Sequence, residues 1–173
     1  EELGSEGCKI AVGEDAVCSE PEKYAFAVIS PGISLDWKIA TQFTDSGVPI
    51  IGEIEFSYPF CSPSIIGVTG TNGKTTTVEL IEKILNGCGE TVVAGGNYGR
   101  PLSDIVCDST SYSSVILEIS SFQLEAISEF HPSVAVWTNF APDHLDRYSG
   151  IDGYKSAKMR LFVNQNEEDW AII

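Results

Sequence analysis

Hydrophobic positions along the chain gather into short, nearly continuous runs, and the stretches between them carry apolar residues at helical spacing. Runs of that kind predict strands buried on both faces of a parallel sheet, with helices as the connections. Between Cys8 and Pro59 there are apolar runs at Cys8 to Val12 and Ala25 to Ser30, a helical stretch from Leu35 to Asp45, and a third run at Val48 to Ile51. Together they suggest a small α/β unit. Gly32 after Pro31, and Gly47 after Ser46, supply turn residues at a strand end and a helix end. The segment Tyr58-Pro59-Phe60-Cys61-Ser62-Pro63 carries two prolines and is the expected linker, dividing the chain into 1–62 and 63–173.

Beyond that segment the alternation continues with larger elements. The pattern predicts strands at Ser64 to Thr69, Thr91 to Ala94, Val115 to Ile119 and Val134 to Thr138. Helices are predicted at Lys74 to Gly87, Pro101 to Cys107, Ser121 to Phe130 and Tyr154 to Asn164. The run Val115-Ile116-Leu117-Glu118-Ile119 is the clearest central strand, yet it holds a glutamate near its end. The expected fold class is therefore α/β, with a mostly parallel, doubly wound sheet. Ala171 to Ile173 reads as a strand just begun with no helix after it, so the chain is expected to be a fragment.

Charge changes what such a fold can bind. Ten basic against 25 acidic residues give a formal charge of -15, a field that repels nucleic acid and anionic membranes. The acidic residues are spread along the chain, as on a solvated surface, so any phosphate must be held by a local device. Five cysteines without a Cys-x-x-Cys pair argue against a disulfide scaffold or a zinc site. With no long apolar segment and no signal-like start, no export or membrane insertion is expected, and a cytoplasmic location is.

A local device for phosphate is present. Gly70-Thr71-Asn72-Gly73-Lys74-Thr75-Thr76 lies directly between a predicted strand and a predicted helix, the context a phosphate-binding loop requires. Its glycines allow the backbone N–H groups to approach phosphate, and the helix start adds partial positive charge. Lys74 supplies a full charge, and the Thr75 hydroxyl can ligate Mg²⁺. Valine at position 68 means that only the short form of the motif fits. The plainer alternative is a glycine turn followed by an ordinary helix start with Thr75 to Thr77 as caps.

Three clusters stand at the C-terminal ends of other predicted strands, the edge at which open parallel sheets bind ligands. Gly95-Gly96-Asn97-Tyr98-Gly99 is a glycine-dense turn that would bring the Asn97 amide to a ligand. Glu118, in Glu118-Ile119-Ser120-Ser121-Phe122-Gln123, is a candidate Mg²⁺ ligand, or else a carboxylate paired with a lysine or capping the next helix. Asn139 to Arg147 packs His144 with Asp143, Asp146 and Arg147, and His144 reads equally as a ligand and as a structural loop histidine. His131, beside Pro132, reads as structural.

In order along the chain these motifs, with Ser30-Pro31-Gly32-Ile33, Ser120-Ser121-Phe122-Gln123-Leu124-Glu125 and Tyr154-Lys155-Ser156-Ala157-Lys158, resemble the Mur ligases, and within them the branch that adds D-glutamate. The resemblance implies a partial Rossmann-like N-terminal domain, which binds a UDP-substrate, followed by a truncated P-loop central domain. It also implies that the family's C-terminal amino-acid-binding domain is absent, so this chain alone would bind nucleotide weakly and catalyse nothing. The implied activity, in peptidoglycan synthesis, uses ATP to join D-glutamate to UDP-N-acetylmuramoyl-L-alanine through an acyl phosphate. Lys74, His144 and Lys158 would be catalytic. Thr75 and Glu118 would serve one Mg²⁺, and His144 a second together with Lys158, carbamylated by CO₂. Read from the sequence alone, Lys158 is a lysine on an exposed helix face. Gly32, Asn97, Ser120, Gln123 and His144 would contact the substrate, Gly32 at the uridine. The implied partners are small molecules, and the chain is expected to be a monomer. Two alternatives remain: a non-catalytic nucleotide-binding paralogue, and a ligase of the folylpolyglutamate type, which the Ser-Pro-Gly and Ser-Ser-Phe-Gln segments disfavour.

Overall fold

In the computed structural model, which describes residues 5–13 and 17–173, the chain divides within the third apolar run. One compact unit ends at Ile50 and the other runs Ile51–Ile173. The first contains β1 (Ala27–Ile29), α1 (Lys38–Asp45) and the start of β2 (Ile50–Gly52). Ala27 N–H donates to the Pro49 carbonyl (2.9 Å) where these strands meet. Cys8 to Val12, expected to join that unit as an apolar run, forms no strand and is exposed throughout. Among the described residues no strand lies beside it to take its backbone groups. Leu35 to Trp37 forms a turn, closed by Trp37 N–H on the Ser34 carbonyl (3.1 Å), so the helix starts later than the apolar spacing predicts.

The second unit begins with α2 (Glu53–Ser57) and a 3₁₀ turn at Tyr58–Phe60. The proline-rich segment expected as a linker is packed here. Pro59 sits at the start of the turn, where its missing N–H costs nothing, and Tyr58 lies edge-on to Phe130 with centroids 5.5 Å apart. Glu55 is buried, and its carboxylate accepts the backbone N–H groups of Ser128 (2.9 Å), Glu129 (2.7 Å) and Phe130 (3.1 Å). The unit therefore starts ahead of the expected 62/63 boundary.

The remaining elements are β3 (Ser64–Thr69), α3 (Lys74–Gly87), β4 (Val92–Gly96), α4 (Leu102–Val106), β5 (Ser114–Glu118), α5 (Ser121–Glu125), β6 (Val134–Trp137), α6 (Ile151–Met159) and β7 (Trp170–Ile172). All five strands from β3 onward are parallel, in the order β4-β5-β3-β6-β7. The connection from β3 to β4 passes β5 in one direction, and that from β5 to β6 passes β3 in the other. Right-handed crossovers then require helices on opposite faces. Val78 of α3 packs with Val68, Val92 and Ile116 on one face. Leu102, Ile105, Leu124 and Leu161 pack with Ile65, Val115 and Leu117 on the other. The winding reverses at β3, which opens a crevice at the carboxyl ends of β3, β5 and β6.

Two helices differ from expectation for tertiary reasons. α5 stops at Glu125 instead of Phe130 because other elements take its backbone groups. Arg160 Nε donates to the Leu124 carbonyl (2.7 Å), Arg160 Nη2 to that of Ile127, and Asn164 Nδ2 to those of Ser128 (2.8 Å) and Phe130 (2.9 Å). α6 starts at Ile151, ahead of Tyr154, and gives way to a 3₁₀ turn at Arg160–Phe162.

Glu55→Ala takes the acceptor from three backbone donors, that of Phe130 buried, and should lower unfolding free energy by about 2 kcal/mol, with Glu55→Gln costing less. Urea denaturation of the two variants measures this; an unchanged midpoint for Glu55→Ala would contradict it.

Candidate active site

The two loop glycines are required for different reasons. Gly70 has φ 145°, and a Cβ added there would lie 2.0 Å from Thr138 Oγ1, because the loop rides directly on the end of β6. Gly73 has φ 79° with open space around it, so its constraint is the left-handed backbone alone. Gly73 precedes α3, and Thr77 N–H is bonded to the Gly73 carbonyl (2.9 Å). The N–H groups of Lys74, Thr75 and Thr76 in the turn before it have no intrahelical acceptor and are suited to an anion. Thr71 and Asn72 are different: their N–H groups donate to Asn139 O (3.1 Å) and Asn139 Oδ1 (2.9 Å). Lys74 Nζ folds back onto the Thr71 carbonyl (3.0 Å).

Glu118 is 3% exposed at the end of β5. Its Oε2 accepts the Thr75 hydroxyl at 2.6 Å and its Oε1 the Asn97 amide at 2.8 Å, while Asn97 N–H donates to the Glu118 carbonyl (2.8 Å). Neither plainer alternative for Glu118 holds. Among the described residues no cation pairs with it, and the following helix is capped by Ser120. A hydroxyl and a carboxylate side by side form a hard-oxygen pair suited to Mg²⁺, which keeps waters and phosphate oxygens for its other positions. Among the described residues no group of three or more His, Cys, Asp or Glu could hold a metal ion.

Ser120 and Gln123 form a capping box. Ser120 Oγ accepts Gln123 N–H (3.2 Å), and Gln123 Oε1 accepts Ser120 N–H (3.0 Å). The Ser-x-x-Gln spacing carried that signal in the sequence, where only a ligand role was read. His144 is exposed with φ 52°, its ring 4.8 Å from that of Phe122 and 5.8 Å from that of Tyr154. Arg147 lies 4.2 Å over the Phe122 ring and pairs with Glu125 (2.7 Å).

Lys158 overturns the exposed-surface reading: it is 2% exposed, with Nζ donating to the Gly70 carbonyl (2.7 Å) and 4.7 Å from the Tyr154 ring. Burial first, and the charge of Lys74 second, lower its pKa from 10.5 to about 8, against a smaller opposing pull from Asp143. Tyr154 was not singled out from the sequence. One turn before Lys158 on the same helix face, it is buried, with its hydroxyl 3.3 Å from Thr71 Oγ1.

Gly32 lies in an exposed turn of the first unit. His131 is structural as read, bonded to Asp169 at 2.6 Å. A cavity of about 400 Å³ lined by Cys61, Ser64, Tyr112 and Ser113 lies at the opposite, N-terminal edge of the sheet and includes none of these site residues. No helix among the described residues is long and apolar enough to cross a membrane.

The family model of the Mur ligase middle domain matches residues 68–173. A UDP-N-acetylmuramoylalanine--D-glutamate ligase from Alkaliphilus metalliredigens is 42% identical over 146 residues, covering 84% of this chain and 32% of that protein. One from Caldicellulosiruptor saccharolyticus is 45% identical over 147 residues, with the same 84% and 32% coverage. The chain thus spans about a third of the length of these curated relatives. Among solved structures, a UDP-N-acetylmuramate:L-alanyl-gamma-D-glutamyl-meso-diaminopimelate ligase from Neisseria meningitides aligns with TM-score 0.58 and 18% identity, over 86% of this chain and 51% of that one. MurF ligase from Thermotoga maritima, solved in complex with ADP, aligns with TM-score 0.54 and 20% identity, over 87% and 43%. At such identities the likeness is one of fold.

Gly73→Ala should cost about 1 kcal/mol in urea denaturation, and Gly70→Ala clearly more, part of which Thr138→Ala should restore; equal costs would contradict the contact. In CO₂-free buffer the folded protein, with Lys158 neutral above about pH 8, binds fewer protons than the unfolded chain up to about 10.5. Relative to Lys158→Met, the wild type should therefore gain stability as pH rises from 8 towards 10.

Proposed function

The chain belongs to the Mur ligase family, and on that premise we propose that it supplies the phosphate- and metal-binding part of an ADP-forming ligase joining D-glutamate to UDP-N-acetylmuramoyl-L-alanine. The observation that carries this reading is the convergence of Thr75, Asn97 and Glu118 beside a loop against which Lys158 is buried. The names of the relatives favour D-glutamate as the amino acid added.

A carboxylate is a poor electrophile and must be activated. Its oxygen attacks the γ-phosphorus of ATP, the bond to the β-bridging oxygen breaks, and ADP departs. The D-glutamate amine then attacks the acyl-phosphate carbon, phosphate leaves with its electron pair, and the amine nitrogen loses a proton. Lys74 and the first-turn N–H groups of α3 hold the charge of the transferring phosphoryl group. Mg²⁺, held by Thr75 and Glu118, would neutralise phosphate charge. His144 would serve a second Mg²⁺ with Lys158, whose amine, its pKa lowered to about 8 by burial and by the charge of Lys74, would in its neutral form add to CO₂ and lose a proton to become a carbamate. Asn97 supports Glu118, and Gln123, its Oε1 committed to the cap, would offer Nε2 to substrate from beside Ser120. Gly32 would meet the uridine portion. We assign the protein to the cytoplasm, as a monomer acting on small molecules; the -15 charge disfavours nucleic acid and anionic membranes.

In the full-length protein, phosphate release from ATP should require both UDP-N-acetylmuramoyl-L-alanine and D-glutamate. Efficient use of L-lysine or meso-diaminopimelate instead would overturn the assignment. Lys158→Ala should lower kcat by about 10²–10³-fold without rescue by bicarbonate, and ¹³C-bicarbonate should give a carbamate signal that this variant lacks.

A further inference from the structure

Resting on the reading of Gly70 to Thr76 as a nucleotide-phosphate loop, we infer that Asn139 is a positioning residue that sets this loop in its binding conformation before nucleotide arrives. The loop must turn its polar backbone groups somewhere, and those of Thr71 and Asn72 are turned onto the residues following β6. Thr71 N–H donates to Asn139 O (3.1 Å). Asn72 N–H donates to Asn139 Oδ1 (2.9 Å), and Asn139 Nδ2 donates back to the Asn72 carbonyl (2.8 Å). The side-chain amide thus pairs with the Asn72 peptide as one strand pairs with another, donor to acceptor at both ends.

A carboxamide is needed for that exchange. Aspartate keeps the acceptor and loses the donor, serine or threonine offers a single oxygen, and glutamine carries an extra methylene. Thr138 Oγ1 adds a second donor to the Asn72 carbonyl (2.8 Å). The base of the clamp is itself fixed: Asn139 O also accepts the indole N–H of Trp137 (2.8 Å), whose ring stacks on Phe162. A carbonyl facing a phosphate repels it. Asn139 holds the Asn72 carbonyl on protein donors and leaves the first-turn N–H groups of α3 facing the anion, so the loop need not be ordered by the nucleotide. Thr71 Oγ1, bonded both ways to the backbone of Ala141 (3.1 Å each), continues the same zipper towards His144.

The test uses the full-length protein with Asn139→Ala and Asn139→Asp. For Asn139→Ala, the Kd of ADP with Mg²⁺ by calorimetry and the KM for ATP should rise about tenfold. Its kcat at saturating ATP, its KM for UDP-N-acetylmuramoyl-L-alanine and its Tm should stay near wild type. Asn139→Asp should weaken ADP further, since it sets a second oxygen against the Asn72 carbonyl and adds charge near phosphate. It keeps the acceptor for Asn72 N–H, so it serves as the readout if Asn139→Ala fails to fold. In the nucleotide-free wild type, amide exchange at 71–72 should already be slow, and at Asn72 faster in Asn139→Ala, which removes the acceptor of its N–H. Wild-type ADP affinity in both variants, a loss confined to kcat, or fast exchange at 71–72 in the wild type would overturn the inference. A wild-type protein that binds neither ADP nor ATP would instead overturn the nucleotide reading beneath it.

Discussion

A carboxylate at the end of a fully buried strand cannot be left alone, and the site is organised around satisfying Glu118. Its two oxygens draw in Thr75 from the turn after β3 and Asn97 from the turn after β4. Three consecutive sheet connections are thereby tied at one point, on the edge where the winding direction reverses. Removing water from a carboxylate costs several kcal/mol unless polar partners replace it. Here the partners are neutral and leave the carboxylate available to a cation. A buried ion pair with a lysine would have satisfied Glu118 equally well and spent that charge.

The same economy of partners governs the phosphate loop. Asn139 absorbs the donors of Thr71 and Asn72, Lys74 bonds the Thr71 carbonyl, and Lys158 bonds the Gly70 carbonyl. What faces a ligand is positive: the helix start and the Lys74 amine, with the Lys158 amine buried against the Gly70 carbonyl. Two amines so close oppose each other, which is one reason the Lys158 pKa falls. An anion bound beside them relieves that opposition. The overall acidity of the chain is no obstacle, because exposed charges farther than about 10 Å away are largely screened.

Elsewhere, tertiary partners decide where elements stop. Helical spacing continues past Glu125, yet Arg160, Asn164 and Glu55 together claim backbone groups of Leu124 and of Ile127 to Phe130 and end α5. The two prolines of Tyr58 to Pro63 resemble a linker in composition, but Pro59 fits the first turn of a 3₁₀ segment and Tyr58 covers Phe130. The Cys8 to Val12 run shows the converse: an apolar run without a partner strand stays exposed.

What the sequence determined by itself was local. The alternation of apolar runs and helical spacing sets β3, α3 and the parallel α/β class, because periodicity reports which faces are covered. The glycines and Lys74 mark the loop, because few other residues adopt those dihedrals or carry that charge. Only the tertiary structure decided that Lys158, ordinary in a helix pattern, is buried against Gly70, and that Asn139, ordinary in a loop, holds Asn72. Burial and hydrogen-bond partners come from elements distant in the chain, here from positions 67 residues apart for Asn72 and Asn139 and 88 for Gly70 and Lys158. No local pattern of residues encodes such a separation.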